Sequence, residues 1–309
     1  MTLRTAIVGL GKIARDQHVP SIAKVDGVDL VAIASRNASI DGLPSFPDVD
    51  ALLAGVGAEI DAVSLCTPPQ GRNAQAEAAL RAGKHVMLEK PPGATVSEIA
   101  PLVSLAKEKG VTLFATWHSR EASAVAPARA FLADAAIRSV HVEWKENVRK
   151  WHPNQDWIWQ PGGLGVFDPG INALSIVTAI LPRPMFLLRS DLSFPENRAA
   201  PIAADLEFTD AVGTPIRVEF DWRETGGETW NVHIDTDMGR LSLREGGKKL
   251  FIDDVLKVDE ADAEYVGLYT RFVELTRTGA LDVDLSPLQH VADAFLLGRR
   301  HAVEAFIED

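Results

Sequence analysis

The feature that most constrains this chain is a glycine turn set between two apolar strands near its start. Residues 4–9 (Arg-Thr-Ala-Ile-Val-Gly) read as a strand, Gly9-Leu10-Gly11-Lys12-Ile13-Ala14 follows without a break, and a second strand over 28–34 ends at Ser35-Arg36. Strand, tight turn, helix, strand is the order of a βαβ unit, and it gives each small residue a task. Gly9 permits the turn, Gly11 lacks a Cβ and lets a pyrophosphate approach the backbone, and Ala14 is small enough for the helix to pack on the sheet. Phosphates are expected on the free N–H groups at the start of that helix, whose first turn holds Lys12 and Ile13. The pattern therefore calls for a dinucleotide.

The strand–helix rhythm continues to about residue 117. A short helix is expected over 50–54, and a buried strand over 61–66 stops at Thr67-Pro68-Pro69. An alanine-rich helix over 74–82 ends at Gly83, a strand over 85–88 ends at Glu89-Lys90-Pro91-Pro92, a helix over 97–109 stops at Gly110, and a strand follows over 111–115. Such repeats predict a doubly wound parallel sheet with helices on both faces. The pattern then changes. A helix over 126–135 leads into a long strand over 138–148, with Val140, Val142, Trp144, Glu146 and Val148 on one side. A tryptophan-rich loop, a helix over 168–181 and alternating segments over 203–208, 216–222, 229–235, 241–244 and 250–253 follow, which predicts an open antiparallel sheet. Two helices, over 263–278 and 286–306, close the chain. The expected class is α/β: a Rossmann dinucleotide-binding domain over 1–118 and a substrate-binding α/β domain over 119–309, with the last helix packing back on the first domain. A broad open sheet has a second face to cover, so a homo-oligomer through that sheet is expected.

Bulk numbers narrow the partners. The chain has 309 residues, 46% of them apolar, and a formal net charge of −12, which suits two soluble domains. No Lys/Arg cluster offers a basic face for nucleic acid. The longest apolar run, over 171–181, is interrupted by Asn172 and Ser175 and is too short to span a bilayer, and the start reads as no signal peptide. The single cysteine, Cys66, has no internal disulfide partner, so a cytoplasmic location is the expectation. His85, His118, His141, His152, His233, His290 and His301 show no metal-site spacing, and no metal is expected.

The remaining signals concern chemistry. Ser35 and Arg36 end the second strand where NAD enzymes place an acid. A hydroxyl and a guanidinium suit a 2′-phosphate better, which favours NADP, with NAD also accepted; a solvated surface arginine is the plainer reading of Arg36. Cys66, Thr67 and Pro68 stand at a strand end that lines the cofactor crevice, with Cys66 as a core thiol rather than a nucleophile. Glu89 is placed to hold its loop, and Lys90 to reach the nicotinamide. Asp168 and Asn172 are four apart and share a helix face, although Asp168-Pro169 also reads as a helix cap followed by a first-turn proline. Trp151, Trp157, Trp159 and Trp230 offer indole faces on which a sugar can stack, and Glu146 and His152 can take its hydroxyls.

Together these residues resemble the Gfo/Idh/MocA oxidoreductase family, named for glucose–fructose oxidoreductase and inositol dehydrogenase. The likeness rests on Gly9-x-Gly11-x-x-Ala14, Thr67-Pro68, the helix ending in Ala82-Gly83-Lys84, Glu89-Lys90-Pro91, and the segment from Gly163 to Asn172. Within the family, Trp151-His152-Pro153 through Phe167-Asp168-Pro169-Gly170-Ile171-Asn172 is similar to bacterial aldose 1-dehydrogenases acting on L-arabinose or D-galactose. The resemblance implies that Lys90 and Asp168 are catalytic. It implies that Glu146, Trp151, His152, Asn172, Trp230 and His118 bind an aldose. It places an NADP or NAD cofactor on Gly9, Gly11, Lys12, Ile13, Ser35, Arg36, Cys66, Thr67, Pro68, Glu89 and Lys90, with an aldonolactone as product. Many relatives carry histidine four residues after the aspartate. Here that residue is Asn172, which does not titrate near neutrality, as in the aldose subgroup. A histidine-based mechanism is not expected, and the base is Asp168 or Lys90. An inositol- or imine-type enzyme, or a dinucleotide-binding regulator without activity, would share the fold.

Overall fold

A computed structural model describes residues 2–261 and 263–308. The chain divides into two compact units, one of residues 1–118 with Tyr265–Leu285, the other Ser119–Glu264 with Ser286 onward.

The first unit is built on six strands: β1 (Leu3–Val8), β2 (Val28–Ala34), β3 (Ser45–Phe46), β4 (Ala62–Leu65), β5 (His85–Leu88) and β6 (Leu113–Ala115). All pair in parallel in the order β3-β2-β1-β4-β5-β6. Both faces are covered, which explains why β1 and β4 read as nearly continuous apolar runs rather than alternating ones. Helices Val49–Val56, Arg72–Arg81 and Ile99–Lys109 bury Leu52, Leu80 and Leu102 against one face. Asp48 caps the first of these by accepting from the Ala51 N–H at 2.8 Å, and Gly110 ends the last in the left-handed region at φ 67°. The opposite face is covered by helix Glu264–Thr278, whose Leu268, Tyr269, Phe272 and Leu275 pack with Ile7, Ile33, Met87 and Phe114. This late helix, and not the final one, returns to the first unit. Strand order reverses beside β1, between β2 and β4. In an open parallel sheet that switch leaves a crevice outside the carboxyl ends of the strands.

The second unit carries β7 (Ile137–Lys145), β8 (Met185–Pro195), β9 (Ala203–Asp210), β10 (Ile216–Asp221), β11 (Thr229–Thr236), β12 (Gly239–Arg244), β13 (Lys249–Ile252), β14 (Val255–Asp259) and β15 (Gly298–Val303). They form one sheet in the order β14-β13-β12-β11-β7-β10-β9-β8-β15. Most pairs are antiparallel, but β7–β10 and β8–β15 are parallel, so the sheet is mixed. Three strands of this sheet, β8, β14 and β15, escape the sequence pattern. A register shift between Leu187 and Arg189 breaks the alternation of β8. The expected final helix over 286–306 is corrected to Ser286–Leu296, after which β15 joins the sheet edge. Gly298 makes that turn possible, since a Cβ there would lie 2.6 Å from Leu192 Cδ1.

Helices Val125–Leu132, Phe167–Ile180 and Ser286–Leu296 pack on the apolar face, where the Phe167 and Phe220 rings meet edge-on with centroids 5.8 Å apart. The other face is charged and internally paired. Lys145 donates to Glu219 at 3.0 Å and Glu143 at 3.3 Å, Arg189 pairs with Glu207 at 3.0 Å, and His301 with Asp191 at 2.8 Å. Among the described residues no helix is long and apolar enough to cross a membrane.

Candidate functional site

In the first unit the strand ends on either side of the switch carry the expected residues. Gly9 sits at φ +92°, and a Cβ on it would lie 2.8 Å from both Thr67 Cγ2 and the Thr67 nitrogen. Its need for glycine is thus set by the turn and by close approach to the β4 loop. At Gly11 no protein atom lies within 4 Å of where a Cβ would be, so packing does not demand glycine there. Ala14 is fully buried and Ile13 is 41% exposed. Lys12 pairs with Asp16 one turn on. The helix after the turn widens. Val19 N–H donates to the Ala14 carbonyl, five residues back, and residues Ala14–His18 form a π turn. Pro20 explains this, because its ring crowds the Asp16 carbonyl and it has no N–H to give.

Ser35 follows β2, anchored by its N–H to the Phe46 carbonyl at 2.8 Å, and Arg36 beside it is exposed. The Thr67 hydroxyl donates to Gln75 Oε1 at 2.7 Å. Cys66 is half-buried, its Sγ 3.9 Å from the Ser64 carbonyl. Lys90 is half-buried and its neighbours are clamped. The buried Arg72 guanidinium donates to the carbonyls of Thr67, Glu89 and Pro91, tying the β4 and β5 loops together.

Glu89 points inward. Its Oε1 accepts from the Tyr265 hydroxyl at 2.5 Å and lies 3.4 Å from His18 Nε2. His18 Nδ1 lies 2.8 Å from Tyr269 Oη, which is 3.0 Å from Ser64 Oγ. His118 stacks on Tyr265 with ring centroids 5.2 Å apart. Burial alone would raise Glu89, but His18, the nearby His118 and the Tyr265 hydroxyl outweigh it and hold the carboxyl at about 2. Burial likewise lowers His18, but Cys66, Tyr269 and Glu89 reverse this and leave it well above the ordinary imidazole value. Both shifts run toward the charged forms, a carboxylate facing an imidazolium.

In the second unit the period of two along β7 sets Trp144 and Glu146 on the apolar side. Register places Phe220 of β10 and Trp230 of β11 directly beside Trp144. Glu146, just beyond the strand, is buried, and both its oxygens accept from indoles: Trp222 Nε1 at 3.2 Å and Trp230 Nε1 at 2.9 Å. Trp151 is 37% exposed, 5.8 Å from Trp230 between centroids, and donates to Glu228 at 2.6 Å. Trp159 and Trp222 form a buried edge-on pair, so Trp159 belongs to the core.

Asp168 does not act as the cap of its helix. The helix starts at Phe167 with Val166 as N-cap, and Asp168 lies inside the first turn. Its carboxylate lies 3.3 Å from His152 Nε2, and His152 Nδ1 lies 3.2 Å from Gln155 Oε1. An imidazole thus stands against the aspartate although position 172 is asparagine. Asn172, one turn on, is half-buried on the same helix face. Gly170 brings this helix onto the sheet, since a Cβ there would lie 2.6 Å from the Phe220 ring. The second unit therefore gathers Glu146, Trp151, His152, Asp168 and Trp230 at one end of the sheet, and the first gathers Gly9, Thr67, Glu89 and Lys90. One further trio, His141, Glu143 and Glu219, brings possible ligand atoms within 4.8 Å, but the Lys145 ammonium already pairs with both carboxylates.

Sequence reasoning passed over His18, Ser64, Arg72, Tyr265 and Tyr269. Each is ordinary where it stands. Only pairings such as His18 with Glu89, 71 residues apart, or Tyr265 with Glu89, 176 apart, make them a group.

Residues 3–116 match the model of the oxidoreductase family with an NAD-binding Rossmann fold, Gfo/Idh/MocA. The chain is 44% identical over 306 residues to galactose 1-dehydrogenase of Pseudomonas fluorescens, covering 99% of each. The chain belongs to the Gfo/Idh/MocA oxidoreductase family. A crystal structure of D-galactose-1-dehydrogenase from Rhizobium etli is similar at 59% identity and TM-score 0.95, over 99% of this chain and 98% of that one. A 3-ketoreductase from Actinomadura kijaniata, in complex with NADP and TDP-benzene, shares the family fold at 19% identity and TM-score 0.83, over 98% of this chain and all of that one.

Proposed function

We propose that this oxidoreductase is an aldose 1-dehydrogenase that oxidises the anomeric hydroxyl of D-galactose, and of L-arabinose, to the aldonolactone. The observation that carries this is likeness along the whole chain, 44% identity over 306 residues, to an enzyme named for galactose oxidation at C1. The second unit's side chains support it: indole faces for the sugar's C–H surface, and the carboxylates Asp168 and Glu146 for its hydroxyls. The two sugars share the configuration of C1–C4, and Trp151 and Trp230 set the room beyond C5.

The cofactor is NADP, with NAD accepted less well. Gly11 is glycine without a packing reason and Ile13 is exposed beside it, which suits a dinucleotide's pyrophosphate, and Arg36, exposed at the end of β2, suits a 2′-phosphate. A bound nicotinamide would supply the acceptor for the hydride that leaves C1. Asp168 takes the proton of the anomeric hydroxyl, and His152 stands ready to receive or share it. The Lys90 ammonium holds that oxygen and stabilises the charge that develops on it. Asn172, Glu146 and His118 hold other hydroxyls.

Incubating the protein with a panel of pentoses and hexoses and NADP(+) is expected to give reduced cofactor with D-galactose and L-arabinose, and an aldonolactone by mass. No reduction with any aldose would sink the reading. Replacing Arg36 by Glu is expected to weaken NADP(+) by about tenfold or more, as loss of a charge-assisted pair implies, while sparing NAD(+). Equal loss for both would leave the arginine no part in the choice.

The charged face of the second unit's sheet is proposed to meet a second copy of the chain. Its internally paired Lys145, Glu219 and Arg189 suit a polar isologous contact. Sedimentation equilibrium is expected to give a multimer, and a strict monomer at working concentrations would exclude it.

A further inference from the structure

A buried ion pair stands directly behind Lys90, and the reaction as proposed does not use it. Glu89 is 4% exposed and His18 fully buried, so neither can touch a substrate. Taking both charges out of water is costly, and apolar residues of the same volume would pack as well or better. Such a pair therefore calls for a reason beyond stability, and the local geometry supplies one. Glu89 directly precedes Lys90. Its side chain is held by His18 and the Tyr265 hydroxyl, while its backbone carbonyl and that of Pro91 are held by Arg72. The backbone on both sides of Lys90 is thus fixed, while the lysine side chain remains half-buried. His18 is fixed in turn by Tyr269, itself within hydrogen-bonding distance of Ser64. It also lies in the π turn that follows the Gly9–Gly11 segment, so the wide turn sets its register.

We infer that His18 and Glu89 are positioning residues for Lys90, joining the helix of the glycine turn to the strand end that presents the catalytic amine. This rests on the reading of Lys90 as a catalytic group. A small displacement of a reacting group costs far more in rate than in binding. Glu89→Gln keeps the side chain's shape and removes its charge, and His18→Gln replaces the imidazole ring at the other end by an uncharged polar amide.

Each variant is expected to lower kcat with D-galactose by between about tenfold and 10²-fold, with NADPH affinity by fluorescence unchanged within about threefold. The double variant should lose no more kcat than the worse single one, because both act through one contact. Tyr265→Phe leaves the pair intact and should cost less than either. A direct reading of the amine is the rate at which trinitrobenzenesulfonate labels Lys90, followed by peptide mass in protein without sugar. It should change in both variants while labelling of Lys24 does not. Folded Glu89→Gln or His18→Gln with normal kcat and normal Lys90 labelling would overturn the inference, as would losses that multiply in the double variant. Should Glu89→Gln not fold, His18→Gln and Tyr265→Phe carry the comparison. Lys90→Met is measured alongside. If it retains turnover, the catalytic reading fails, and the labelling rates alone decide the positioning. If it is inactive while the Glu89 and His18 variants are normal, the positioning fails alone.

Discussion

Lys90→Met is expected to lower kcat for D-galactose by about 10³-fold, the scale seen when one donor to a developing oxyanion is removed. Methionine preserves the length and apolar stem of the side chain and removes only its ammonium. The surrounding clamp should survive, because Arg72 holds the carbonyls of Thr67, Glu89 and Pro91 and the Tyr265 hydroxyl holds the Glu89 carboxylate. Thermal stability should therefore remain close to that of the parent. The loss should appear in kcat and in kcat/KM alike, as expected for an interaction made in the transition state. Turnover within about threefold of the parent would remove Lys90 from the chemistry.

Asp168→Asn is expected to cost between about 10² and 10⁴ in kcat, the range for loss of a positioned general base. Asparagine is isosteric and occupies the same first-turn position, so the helix Phe167–Ile180 should form as before. Two observations separate a base from a hydroxyl holder. The variant's residual rate should rise in step with hydroxide concentration, because solvent must take the proton. His152→Ala in the parent should cost less than Asp168→Asn, since His152 meets the substrate's proton only through the carboxylate it faces at 3.3 Å. If Asp168→Asn instead keeps its rate and raises only KM for the sugar, the aspartate merely binds and Lys90 becomes the base.

Much of the first unit was legible in the sequence for a physical reason. Strands buried on both faces must be apolar throughout, and helices that end at Gly83 or Gly110 must stop there. A turn as tight as Gly9 against Thr67 excludes any Cβ. These are local constraints, and they leave local marks. β7 was legible too, since one buried face forces alternation. β8 and β15 left no such mark. The register shift in β8 destroys its period, and β15 is a mostly exposed edge strand that owes its pairing to β8 rather than to its own pattern.

The candidate site divides in the same way. Lys90, Asp168, Asn172 and the tryptophans stand at strand ends and helix starts, where position along the chain suggests a role. The network behind Lys90 does not. His18 comes from the first helix, Ser64 and Glu89 from strands or their ends, and both tyrosines from a helix late in the chain. Residue by residue, the sequence determined the dinucleotide turn, the parallel sheet and the groups able to do the chemistry, because backbone conformation and burial act on neighbours. Tertiary structure alone decided that an imidazole would meet Asp168 despite Asn172, and that Glu89 would turn inward to an imidazolium. Such pairings depend on which distant segments a fold brings within a hydrogen bond's reach, a distance no local pattern encodes.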